Sequence, residues 1–198
     1  GIIGAGGMGA SNAAPLAMMD DVRIAAIADV DMGRVAEAVS GRLGSDNPGS
    51  RAAGAALRDA YDGAARFADY REMLDKEDLD GVIVAVYHTA HHEVARTCLE
   101  HGLHIVLEKP MVLKAPHARD LTQLAREREL ELIMGYPWHY TPHTLRVREI
   151  LQAGSLGQMR SINSMFASMV IHFMRGDDSR YQPVFNYPVV GPGDVYKD

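Results

Sequence analysis

Six residues near the start, Gly4-Ala5-Gly6-Gly7-Met8-Gly9, form a GxGxxG loop. Between a strand and a helix such a loop suits a pyrophosphate. Gly4 makes the tight turn, Gly6 lets backbone approach the phosphates, and Gly9 lets helix and strand pack closely. Gly7 and Met8 then open the helix, where free N–H groups and a partial positive charge attract an anion. Asp29 follows twenty residues after Gly9, the spacing expected of a carboxylate that binds an adenosine ribose. A helix cap or solvated turn is the plain alternative, because Asp31 follows closely and suits the start of a helix running to Val39. The Asp29 carboxylate would repel a 2′-phosphate, so NAD is favoured over NADP, while Arg34 keeps NADP open.

A second constellation, His104-Ile105-Val106-Leu107-Glu108-Lys109-Pro110, reads as a strand that delivers Glu and Lys to its carboxyl end. That edge is where open parallel sheets bind ligands. A lysine there can donate to a substrate hydroxyl and stabilise negative charge developing on its oxygen. The alternative is a solvated Lys109 in a turn stiffened by Pro110.

These residues need a scaffold, and the periodicity supplies one. Short β-rich runs alternate with amphipathic stretches, which predicts α/β architecture: a Rossmann-like, doubly wound parallel sheet. Ile2-Ile3 is the stub of the first strand, and further strands are expected at Arg23 to Ala28, Val82 to Val86, His104 to Leu107 and Leu132 to Met134. None of them alternates with polar residues, as suits strands covered on both faces. Helices are expected from Met8 to Met19 with a kink at Pro15, from His91 to His101 with a stop at Gly102, and from Pro116 to Leu130. Gly41 to Gly63, rich in Gly, Ala and Ser, reads as an inserted loop with one short helix near Ala52 to Tyr61. After Tyr136 the composition changes. A helix of roughly a dozen residues is expected among Pro137, Pro142 and Gly154, then a strand from Met159 to Ser168 and a Pro- and Gly-rich tail from Gly176.

The chain has 198 residues, 47% hydrophobic and 23% charged, a globular balance that excludes collagen, coiled coil and wholesale disorder. A net charge of -6 gives no general pull towards nucleic acid or an anionic membrane. No apolar run approaches the ~18 residues of a membrane-spanning helix. One cysteine, Cys98, has no partner for an internal disulfide or a structural zinc site. Nine histidines invite a metal reading, but His92-Glu93-Val94-Ala95-Arg96 has Arg where a metalloprotease helix needs its second His. His88 and His91 lack a third ligand, so no metal is expected.

With Gly4 to Gly9, Asp29, Asp69-Tyr70-Arg71-Glu72-Met73-Leu74, the run from His91 through Gly102 to Glu108-Lys109-Pro110, and Gly154-Ser155-Leu156-Gly157, the chain resembles the glucose-fructose oxidoreductase, inositol dehydrogenase and rhizopine-catabolism (Gfo/Idh/MocA) family. The resemblance implies an NAD(P)-binding domain over 1–135 and, over 136–198, a linker helix and the incomplete start of an α+β substrate domain. It implies hydride transfer with a secondary alcohol or ketone of a sugar, cyclitol or related polyol. Lys109 resembles the lysine that orients the substrate hydroxyl, Glu108 its cofactor-lining neighbour, and His91 the histidine that opens the helix after the fourth strand. Where the family has Thr-Pro-Asn, this chain has Val86-Tyr87-His88. Cofactor contacts from Val86 and Tyr87 are then expected through backbone, and His88 becomes a substrate-side candidate. Trp138 and His139 stand where members often carry Arg, and are substrate-side candidates too.

Both ends read as cut: the chain opens at Gly1 within a strand, and stops at Asp198 before the family's Gly-rich segment with its Asp and His. The expectation is a fragment, inactive alone, of a cytoplasmic protein that assembles into a homo-oligomer through its C-terminal sheet, with an export signal left open. Two rivals stand beside the oxidoreductase: a non-catalytic dinucleotide-binding protein, for redox sensing or scaffolding, and a methyltransferase, which also uses a Gly-rich loop and an acidic ribose contact.

Overall fold

Runs of Ile, Val and Ala with no polar alternation form strands that bury both faces, and the helices between them supply the cover. In the computed structural model, which describes residues 1–161, the chain divides into two units, Gly1–Gly135 and Tyr136–Asp198. The first unit holds β1 (Ile2–Ile3), α1 (Gly7–Leu16), β2 (Ala26–Ala28), α2 (Met32–Leu43), α3 (Pro48–Gly63), β3 (Ala65–Phe67), α4 (Tyr70–Lys76), β4 (Gly81–Val84), α5 (His91–Glu100), β5 (His104–Glu108), α6 (Ala115–Glu127) and β6 (Leu132–Gly135). All six strands are parallel, in the order β3-β2-β1-β4-β5-β6. This is the Rossmann-like fold the alternation predicts, and the strand order reverses between β1 and β4, where such sheets open a ligand crevice.

Register sorts the side chains into two cores. Ile2 stands beside Ile27 and Ile83 on one face, packed with Ala10, Ala13 and Ala14 of α1, Val35 of α2, and Leu57 and Tyr61 of α3. On the other face Ile3, Ala28, Val84 and Leu107 meet Met73 of α4, Val94, Cys98 and Leu99 of α5, and Leu121 of α6. Each fully buried large side chain contributes about 1.5–3 kcal/mol of transfer free energy.

Several expectations change. Gly41 to Gly63 is no loop: α2 continues to Leu43, and α3 runs 16 residues from Pro48. Asn47 caps α3 by accepting from the Ser50 N–H at 3.1 Å, and Pro48 fits its first turn. The buried residues Gly54, Leu57 and Tyr61 follow helical spacing, which the Gly- and Ala-rich composition concealed. The second strand is only Ala26–Ala28, shorter than Arg23 to Ala28, and the fourth ends at Val84 rather than Val86. Pro15 does not kink a helix reaching Met19. Instead α1 ends at Leu16, and tight turns follow in which Met18 and Met19 donate to the Pro15 and Leu16 carbonyls. The β3 strand was not expected, and α4 arises at the Asp69 to Leu74 motif, with Asp69 accepting from the Arg71 N–H to cap it.

By itself, the described part of the second unit has a 3-10 turn at Pro137–Tyr140 and a helix, α7 (Pro142–Gln152), none of whose residues is buried. Residues 159–161 form no strand. The remainder of the expected Met159 to Ser168 strand, the proline-rich tail and the expected C-terminal assembly surface lie outside the described residues. Among the described residues no helix is long and apolar enough to cross a membrane.

Candidate functional site

The glycine loop leaves β1 with Gly4 at a φ of +82°, a left-handed conformation that other residues adopt only with strain. A Cβ there would stand 2.5 Å from the Ala85 carbonyl oxygen, so the chain after β1 lies directly against the chain after β4. Gly9 is tighter still: a Cβ would come within 1.9 Å of the Gly4 oxygen. These two glycines let α1 start almost on top of the sheet. The helix has Gly6 at its N-cap and no side-chain cap, so its first N–H groups are free to meet an anion. Space beside Gly7 is open and Met8 is half exposed.

Asp29 directly follows β2 and faces this loop. Its Oδ2 accepts from the Gly6 N–H at 3.0 Å and its Oδ1 from the Asp31 N–H at 2.9 Å. Asp31 does the capping, accepting from the Gly33 and Arg34 N–H groups at the start of α2. The Arg34 Cβ lies 3.7 Å from where a Gly6 Cβ would stand, so Asp29 and the root of Arg34 flank the same turn.

At the carboxyl end of β5, Glu108 is buried, at 6% exposure, while Lys109 is exposed. The Lys109-Pro110 peptide bond is cis. Glu108 Oε1 accepts from Asn12 Nδ2 of α1 at 2.7 Å, and its Oε2 accepts from the Lys109 N–H at 3.2 Å. Among the described residues, no hydrogen bond or ion pair engages the Lys109 ammonium.

A free helix N-terminus, a carboxylate just after β2 and a lysine just after β5, all at one edge of the sheet, could together hold a dinucleotide. A family model described as "Oxidoreductase family, NAD-binding Rossmann fold", GFO_IDH_MocA, matches residues 1–136. The chain belongs to the Gfo/Idh/MocA family.

Its curated relatives include a dTDP-3,4-didehydro-2,6-dideoxy-α-D-glucose 3-reductase of Streptomyces violaceoruber, 32% identical over 121 residues, which are 61% of this chain and 34% of that one. A 3-ketoreductase of Actinomadura kijaniata, solved with TDP-benzene and NADP, is 26% identical with a TM-score of 0.59, over 80% of this chain and 43% of that one. GenD2 from gentamicin A biosynthesis, solved with NAD, has a TM-score of 0.62 at 24% identity, over 78% of this chain and 38% of that one. The match thus spans well under half of these relatives. Membership of an NAD-binding oxidoreductase family removes the methyltransferase rival.

In this member of the Gfo/Idh/MocA family the predicted residues differ in placement. Gly4, Gly6, Gly7, Met8, Gly9, Asp29 and Glu108 all lie at the carboxyl edge of the sheet, after β1, after β2 and at the end of β5. The loop Val86-Tyr87-His88 follows β4 at the same edge, with Tyr87 exposed. His91 instead lies beneath the site. Its ring is fully buried, with Nδ1 2.7 Å from the Pro110 oxygen and Nε2 3.1 Å from the Val86 oxygen. Both nitrogens face backbone carbonyls, and a neutral ring has one N–H to donate to one of them, so the ring packs between the loop after β4 and the turn after β5, and any part it has in cofactor binding is indirect. His88 packs edge-on against it, ring centroids 5.5 Å apart. Burial, with His91 and Lys109 nearby, holds the His88 imidazole below its ordinary value, which favours the neutral ring at physiological pH.

Trp138 and His139 belong to the second unit, both exposed, with the His139 ring 5.8 Å from Tyr136. His92 turns to α6, 2.7 Å from Asp120. Among the described residues no group of three or more His, Cys, Asp or Glu is arranged to hold a metal. Asn12 was not anticipated. It follows Gly9 by three residues and so shares its sheet-facing side of α1, a spacing that could have drawn attention to it.

Proposed function

We propose that the whole protein is an NAD(P)-dependent oxidoreductase acting on a secondary alcohol or ketone of a sugar or related polyol, in the cytoplasm. The observation that carries this reading is Lys109, exposed at the carboxyl end of β5 with its ammonium unclaimed, beside the same crevice as the glycine loop and Asp29. The nucleotide fits these residues: the first turn of α1 would hold the pyrophosphate, and Asp29 would accept from the adenosine ribose hydroxyls. When bound, the nicotinamide supplies hydride transfer to or from the substrate carbon. Lys109 donates to the substrate oxygen and stabilises its negative charge as the carbon–hydrogen bond changes hands. The sugar-nucleotide reductase among the relatives supports a sugar substrate. Asp29 favours NAD, and Arg34 keeps NADP in view.

A second reading, a non-catalytic dinucleotide-binding protein, is favoured by one observation: Val86-Tyr87-His88 stands where the family has Thr-Pro-Asn. One experiment separates the two. The full-length protein and its Lys109→Ala variant are followed by NADH absorbance over a panel of sugars, cyclitols and nucleotide sugars. Turnover by the wild type that falls at least about a hundredfold in the variant supports the enzyme. Undiminished turnover in the variant removes Lys109 from the chemistry, and NADH binding without turnover on any substrate favours the binding module.

A further inference from the structure

We propose that Asn12 is a positioning residue. It holds the Glu108 carboxylate in one place, and so ties the anion-binding end of α1 to the turn that presents Lys109. The inference rests on the reading of α1 and Lys109 as parts of one dinucleotide site.

Gly9, pressed against the Gly4 carbonyl, brings α1 close to the sheet, and Asn12 lies three residues on along that side of the helix. From there Asn12 Nδ2 donates to Glu108 Oε1 at 2.7 Å, across 96 residues of sequence. The other carboxylate oxygen, Oε2, takes the Lys109 N–H. A carboxylate this buried needs donors on both oxygens, and here each has one. The third side is β6. Gly135 pairs with Glu108 in register, and a Cβ on Gly135 would stand 3.3 Å from Oε1, so the glycine leaves the carboxylate room. Glu108 is thus fixed by a helix, by its own following residue and by the neighbouring strand, with no ion-pair partner among the described residues. A displacement of α1 as its N-terminus closes on phosphate would pull on Oε1, and through Oε2 on the backbone of Lys109.

The rival account is that Asn12 merely fills space, in which case an isosteric residue serves as well. Asn12→Asp is nearly isosteric but sets two carboxylates face to face, which cannot both stay ionised at hydrogen-bond distance. One of them then has a raised folded-state pKa, so the variant is sound at low pH and loses stability as pH rises. Pairing it with Glu108→Gln restores the hydrogen bond with donor and acceptor exchanged.

The four proteins (wild type, Asn12→Asp, Glu108→Gln and the double variant) are compared by NADH fluorescence titration and thermal unfolding between about pH 5 and pH 8. Asn12→Asp should bind NADH about tenfold more weakly than wild type at about pH 8. Its unfolding midpoint should fall there too, most of both losses should reverse at about pH 5, and the double variant should recover both at either pH. An Asn12→Asp protein that matches the wild type throughout would overturn the proposal. So would a double variant no better than the worse single one, even where Asn12→Asp fails to fold at the higher pH. Failure of the wild type to bind NADH would sink the site reading instead, while the midpoints would still report on the Asn12–Glu108 contact.

Discussion

The two faces of the sheet solve the problem of holding a site in opposite ways. The face under α1, α2 and α3 works by removing side chains: Gly4, Gly9, Ala10, Ala13 and Ala14 let backbone approach backbone, and the functional groups are mostly N–H groups of the main chain. The face under α4, α5 and α6 is filled with Met73, Val94, Cys98, Leu99 and Leu121, and its loops are fastened by a side chain, the buried His91. The first construction has no tolerance for added atoms. The second has little tolerance for lost ones.

Four substitutions or conditions would test that contrast. Gly9→Ala should do the most damage, because a Cβ 1.9 Å from the Gly4 oxygen forces α1 off the sheet. A loss of about 3 kcal/mol or more in urea unfolding, together with lost NADH binding, is expected. A soluble variant with wild-type stability would break the comparison at its strictest point.

His91→Ala comes next. It removes a fully buried ring and its one N–H, which leaves one of the Pro110 and Val86 carbonyls without a donor, for about 2–4 kcal/mol. His91→Phe keeps the volume and discards the hydrogen bond. If it is as stable as wild type, the ring serves as filling and not as a fastener.

A milder perturbation of the same face is alkali. Burial pushes the Cys98 thiol up to about 12 from 9.0. Its folded-state value is raised, so its contribution is complete below pH 9.0 and is lost as pH climbs towards 12. Labelling of Cys98 by a thiol reagent at about pH 8 should therefore be negligible until denaturant is added. Prompt labelling of the native chain would show that this core opens locally.

The smallest effect belongs to Asp31→Ala, which removes the α2 cap and should lower stability by about 1 kcal/mol without touching the cores. A larger loss would mean that Asp31 also supports Asp29.

The same contrast explains what the sequence disclosed. Glycine-built features were legible, because Gly4, Gly6 and Gly9 have few other reasons to stand at that spacing, and Asp29 follows at the expected distance. Strands covered on both faces were legible from unbroken apolar runs, and the ends of α5 and α6 from Gly102 and Pro116. The extent of α3 was lost to reading: a short helix near Ala52 to Tyr61 was expected, but the glycines and alanines that usually mark a loop serve close packing against α2 over Pro48–Gly63. Gly54 lies against Arg42, within 2.8 Å of its Cβ were it alanine. The short β3 was hidden because Arg66 breaks its apolar pattern. His91 was found as a motif residue but not as a bridge between two backbones, since its partners are carbonyls, which every residue has. Asn12 was missed for a related reason: its partner lies 96 residues away, and only the fold brings them together.

The carboxylate at the end of β2 has one more consequence, and it concerns entropy. Asp29 is already held by two main-chain N–H groups before any ligand arrives. Freezing a mobile side chain on binding typically costs about 0.5–1.5 kcal/mol, and here folding has met that cost beforehand. A ribose would then meet an acceptor that is already aimed, at the price of sharing its oxygens with Gly6 and Asp31. Adenosine recognition at this position should depend little on loop ordering and chiefly on how readily those two N–H groups yield.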